Sequence, residues 1–129
     1  MKSPARIVFV LLLAAIVPRC STARATHALG EPVSIGLGKS ADFDGGPRIT
    51  FTSLVKDSRC PKGVTCIQAG EAVVELIGSS RKDETEIVHV SSVRTKNRVE
   101  VAGFTVELLD VSSNEHGGKT VVTLRVTGR

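Results

Sequence analysis

A chain of 129 residues has room for one domain and not for two. It carries 17 Lys and Arg against 13 Asp and Glu, yet Lys2, Arg6, Arg19 and Arg24 all precede residue 26 and no acid does, so residues 26–129 balance thirteen bases against thirteen acids. The positive excess therefore belongs to the N-terminal segment. It argues against nucleic acid as a partner, which needs a basic face on the folded domain.

The first 25 residues read as a secretory signal. Lys2 and Arg6 form a positive n-region, Ile7 to Val17 form an apolar run, and Ala23-Arg24-Ala25 is a small-x-small cleavage pattern. The apolar run is short for a membrane-spanning helix, which needs about 20 residues. An uncleaved anchor and a lipid on Cys20 are the alternatives. Arg19 stands directly before that cysteine, where a lipidation site wants a small residue. Cleavage after Ala25 leaves residues 26–129 as a single β domain with one cysteine pair, Cys60 and Cys66. An exported protein meets oxidising conditions, so that pair is expected as a disulfide. Closing so short a loop contributes roughly 2 kcal/mol by the chain-entropy argument.

The chain has neither Trp nor Tyr, and of its four Phe one, Phe9, lies in the signal. Core volume must come from Val, Ile and Leu, which suit a pleated surface. Strict alternation marks five strands: Val33-Ile35-Leu37, Ile49-Phe51, Ala72-Val74-Leu76, Phe104-Val106-Leu108 and Val122-Leu124-Val126. Glu86 to Val90 and Arg98 to Val101 are weaker strands. Turn signals separate them at Asp44-Gly45-Gly46-Pro47, at Gly78-Ser79-Ser80 and at Asn114-Glu115-His116-Gly117-Gly118, the last joining a hairpin. No helical period appears after residue 26. The expected fold is all-β, an antiparallel β-sandwich or small β-barrel of about seven strands.

The most distinctive stretch is Asp57 to Ala72, D-S-R-C-P-K-G-V-T-C-I-Q-A-G-E-A. A strand ends near Lys56, a cysteine-closed loop follows, and Ala69-Gly70 leads into the next strand. Pro61 and Gly63 suit a tight loop, since one presets φ and the other tolerates positive φ. Asp57 or Ser58 can accept loop N–H groups.

This stretch resembles a motif of small exported bacterial proteins of largely unknown function, some with lipoprotein signals, running roughly D-S-R-C-P-x-x-V-x-C-x-W-A-G-x-A. Asp57, Ser58, Arg59, Cys60, Pro61, Val64, Cys66, Ala69, Gly70 and Ala72 match it, and Gln68 stands where the pattern has Trp. The resemblance implies an exported β domain and brings no activity with it. Two uses of the loop compete. It is a binding loop presenting Arg59, Pro61 and Lys62, with inhibition of a secreted protease as one form. Otherwise it is a staple for an aromatic-poor domain, with Arg59 paired locally to Asp57 or Glu71.

Nothing else in the chain points to chemistry. His27, His89 and His116 lie far apart, and none has a ligand partner two or four residues on. Asp42 to Gly46 echoes a calcium loop but lacks the further oxygen ligands and the closing Glu. Ser53-Leu54-Val55-Lys56 spells S-x-x-K without its companion motifs and on a strand, where i and i+3 face opposite sides. Arg94, Lys96 and Arg98 alternate, either as an anion-binding stripe or as charge that protects a sheet edge. The expectation is therefore a non-catalytic exported module, periplasmic or extracellular, with no cofactor and no metal. Its partner is a protein or small molecule, and it touches membrane only through the signal or a lipid on Cys20.

Overall fold

Alternation of one buried and one exposed side chain per strand needs a second layer to cover the apolar face, and two sheets supply it. The computed structural model describes residues 24–61, 63–113 and 119–128. The signal segment up to residue 23, Cys20 and His116 fall outside them. The strands are β1 (Thr26–His27), β2 (Pro32–Gly36), β3 (Ser40–Phe43), β4 (Arg48–Asp57), β5 (Ala72–Ser79), β6 (Thr85–Ser91), β7 (Arg98–Val101), β8 (Phe104–Ser112) and β9 (Val121–Thr127).

One sheet has the order β1-β3-β4-β5-β6 and the other β2-β9-β8-β7. Neighbours are antiparallel except β1, which lies parallel to β3. Consecutive strands therefore pair as meanders, β3 to β6 in one sheet and β7 to β9 in the other. The chain crosses between layers after β1, after β2 and after β6.

A single core fills the space between the sheets. Ile49 and Phe51 of β4, Val74 and Leu76 of β5, Val106 and Leu108 of β8, and Val122, Leu124 and Val126 of β9 are all buried. Each such side chain contributes about 1.5–3 kcal/mol on leaving water. The layers approach closely at Gly78 of β5, where a Cβ would stand 2.0 Å from Val101 Cγ1 of β7. A side chain there would push the sheets apart.

All seven strands expected from alternation are present. The two additional strands, β1 and β3, are too short to show a period, and β3 takes in Asp42 and Phe43, the first residues of the stretch that echoes a calcium loop. Asp42 is held on β3 by Arg48 of β4, whose Nε and Nη2 donate to its two carboxylate oxygens at 2.6 and 2.8 Å. That guanidinium holds the Asp42 carboxyl below the usual carboxylate range. Leu37 departs from its expected place in the core. β2 ends at Gly36, Gly38 adopts φ +75°, and Leu37 is left 48% exposed on the intervening turn. Arg94 and Lys96 do not share a strand face with Arg98, because they lie on the turn between β6 and β7. Arg98 alone is on a strand. It is the outermost one of its sheet, and its guanidinium reaches Glu107 at 3.1 Å.

Candidate functional site

The loop between β4 and β5 stands at one end of the sandwich, and its base is built by the residues flanking the cysteines. β4 carries irregularities in its pairing with β5 between Phe51 and Ser53 and between Leu54 and Lys56, so its last residues leave the core for solvent. Asp57, the last residue of β4, accepts from Arg59 through both oxygens, Nε to Oδ1 at 2.9 Å and Nη2 to Oδ2 at 2.8 Å. The Arg59 N–H also donates to Oδ1 at 3.2 Å. These bonds hold the Asp57 carboxyl below its ordinary range, as a charge-assisted fork should.

Thus fixed, the Arg59 guanidinium crosses to the other sheet. Its Nη1 donates to the carbonyl of Val111, a buried residue of β8, and Nη2 reaches Ser113 Oγ at 3.3 Å. One side chain thereby ties the loop of the first sheet to the last strand turn of the second. Of the two local partners considered for it, Asp57 is the one it takes. Glu71 is occupied elsewhere, by the Ser91 hydroxyl at 2.8 Å and by Lys56 Nζ at 3.2 Å, which together hold its carboxyl below the usual range.

A second tie closes the loop base. The Ser58 N–H donates to the Glu71 carbonyl at 2.8 Å, and the Glu71 N–H donates to Ser58 Oγ at 3.1 Å. The two chain segments run so close that a Cβ on Gly70 would lie 1.6 Å from the Ser58 carbonyl oxygen. Only glycine fits there, by contact rather than by φ. Ala72 then enters the core fully buried, with its N–H on Ser92 Oγ at 2.9 Å. Asp57, Ser58, Arg59, Gly70 and Ala72 thus each have a structural task, and they are half of the matched motif positions.

Cys60 and Cys66 form the disulfide, their Cα atoms 5.9 Å apart. Beyond the ties the loop is all surface. Cys60, Pro61 and every residue from Gly63 to Ala69 are exposed. The Val64 N–H donates to the Pro61 carbonyl at 3.3 Å, with Gly63 at φ +82° completing that turn. Lys62 lies outside the described residues. Val64 is 58% exposed and Ile67 103%, the latter the most exposed large apolar side chain among the described residues. Gln68, at the position of the pattern's Trp, sits on the same exposed rim.

Comparison with known proteins is silent. No protein family, no curated protein and no solved structure matches the chain. The reading of the site therefore rests on its own geometry.

That geometry separates base from tip. Arg59 belongs to the base. A basic residue presented to a protease pocket must be free to enter it, whereas this guanidinium is committed to Asp57, Val111 and Ser113. Pro61 belongs to the tip. The aliphatic pair Val64 and Ile67 was not singled out among the site residues. Their signal in the sequence is two large apolar residues within or beside a cysteine-closed segment that shows no strand alternation. Among the described residues no group of three His, Cys, Asp or Glu side chains converges as a metal site would require. At the opposite end of the sandwich an open depression runs along Ser80, Glu84, Glu86, Glu100 and Ala102. It is shallow, and Glu86 within it is engaged by the Ala102 N–H at 2.8 Å.

Proposed function

We propose that the chain is a non-catalytic exported module of the bacterial envelope that binds its partner through the tip of the Cys60–Cys66 loop. The observation that carries this reading is the pairing of a braced base with an apolar tip. Asp57, Ser58, Arg59 and Gly70 fix where the loop leaves the sandwich, and Val64 and Ile67 stand in solvent beyond it. Exposed aliphatic side chains are unfavourable in water and favourable when a partner covers them. A loop already ordered loses little conformational freedom on binding. The signal-like N-terminus and the disulfide support export, and the absence of a convergent reactive group among the described residues of the motif supports binding over catalysis.

The test exchanges the tip and leaves the base. The purified protein, with a photo-crosslinker at Gln68, is applied to native envelope fractions beside Val64→Asp and Ile67→Asp variants. The expected result is one recurring adduct that both variants lose while their melting temperatures stay unchanged. Repeated absence of any adduct, or an adduct indifferent to both substitutions, refutes the reading. Neither the wild type nor Arg59→Ala is expected to inhibit trypsin-like enzymes, since that side chain is part of the brace.

A further inference from the structure

The edge strand β6 has a property separate from the loop's role. Sheet edges are open templates of N–H and C=O groups, and folded proteins block them by shortness, Pro or charge. The other edges here are blocked in those ways. β1 has two residues, and β2 opens on Pro32, which has no N–H to offer. On β7 the outward-facing residues are Arg98 and Glu100. β6 has seven residues, and its run Ile87-Val88-His89-Val90 contains no Pro, no Gly and no carboxylate, Lys or Arg.

Hydrogen-bond parity shows which groups of β6 are open. The Ser80 N–H donates to the Glu84 carbonyl at 2.9 Å, and the Ser92 N–H to the Ala72 carbonyl at 2.8 Å. Both place Gly78–Glu86, Leu76–Val88 and Val74–Val90 as the pairs that exchange bonds between β5 and β6. The main-chain groups of Thr85, Ile87, His89 and Ser91 point the other way. Ser91 confirms it, donating outward to the Lys96 carbonyl at 3.2 Å. Thr85, Ile87 and His89 are left with outward groups that no described residue meets. Their side chains lie on the outer face, where Ile87 is 64% exposed beside its β5 neighbour Ile77.

We propose that a second copy of this chain docks on this edge, β6 against β6, antiparallel, about a two-fold axis at Ile87. In that register Thr85 faces His89 of the partner subunit, Ile87 faces Ile87 of the partner subunit, and each outward N–H and C=O of these residues gains a mate. The apolar row of Ile77 and Ile87 continues into the same row of the partner, which covers the exposed Ile87. On the other face Glu86 falls opposite the partner's Val88, so no like charges meet. The sequence around Ile87 is symmetric in what pairing requires: one polar residue two positions to each side and the aliphatic residue at the centre. A strand with that symmetry is its own complement, and this selects a second copy over an unrelated extended peptide. The result is one continuous sheet with the two Cys60–Cys66 loops at its opposite ends.

Sedimentation equilibrium of the purified protein over a graded concentration series tests the interface, with oxidative crosslinking to test the register. Dimers are expected, and Ile87→Lys, which sets two charges on the axis, weakens them by about tenfold or more. Facing residues in a bond-exchanging pair have Cα atoms about 5.5 Å apart, within disulfide reach. Ile87→Cys is therefore expected to crosslink to itself, and Thr85→Cys, which faces His89, is not. A monomer at every concentration, a dimer indifferent to Ile87→Lys, or Thr85→Cys crosslinking as readily as Ile87→Cys each overturns the proposal.

Discussion

Replacing Arg59 by Ala probes the brace most sharply, because the side chain makes two kinds of contact with different worth. Its fork to Asp57 is partly exposed, the two side chains 31% and 26% accessible, and a pair of that kind contributes up to about 1 kcal/mol. Its bond to Val111 is different. Val111 is 3% exposed, and removing the donor leaves a carbonyl beside the core without a partner at a cost of about 1–3 kcal/mol. Water entering the vacated volume recovers part of this. The expected loss is about 2 kcal/mol, which lowers the Tm of a domain of this size by roughly 10 °C. Denaturant unfolding of the oxidised protein measures it. Asp57→Ala should cost less, because it leaves the bond to Val111 in place, and the double variant should reveal coupling between the two. An Arg59→Ala midpoint within about 0.3 kcal/mol of the wild type would refute the reasoning, since it would mean that the cross-sheet tie contributes nothing.

Gly70→Ala should destabilise by about 3 kcal/mol or more, because the new Cβ meets the Ser58 backbone, which cannot rotate away. Gly63→Ala, at φ +82° but with open space around it, should cost only about 1–2 kcal/mol. Ala102 sits at φ +51° in the two-residue turn between β7 and β8, and Ala102→Asn should raise stability by about 0.5–1 kcal/mol in the same unfolding assay. Acid should weaken the fold in a defined window. The carboxyls of Asp57 and Asp42 are held below their unfolded range by Arg59 and Arg48, so the stability they confer is complete above about pH 4–5 and fades as pH falls through their lowered folded values. Arg59→Ala should flatten the Asp57 part of that dependence.

Much of the fold was legible because alternation survives wherever a strand has one buried face. Val122, Leu124 and Val126 show it, as do Ala72, Val74 and Leu76. It failed where strands were too short for a period, as in β1 and β3, and where a turn interrupts an apolar series, as at Leu37. The site was legible as a motif and not as a mechanism. The residues between Asp57 and Ala72 announced a cysteine-closed loop and a local partner for Arg59. They could not announce Val111, which is 52 residues away and belongs to the other sheet. Nor could spacing show why position 70 is glycine, because the reason is the approach of the Ser58 backbone and not a turn. The partner of Glu71 likewise came from β6 through Ser91, a residue with no distinguishing pattern. Contacts that cross layers leave no local period, and here they decide which loop residues are base and which are tip.

Amide hydrogen exchange at Ser58 and Glu71, followed in the oxidised wild type and in Arg59→Ala, reads the anchoring of the loop without relying on any partner. Slow exchange at both sites in the wild type, with selective acceleration in the variant while the Val74 and Leu124 amides stay protected, is the expected pattern. Free-peptide rates at Ser58 and Glu71 in the wild type would contradict it and leave the loop as a tether held by its sulfurs alone.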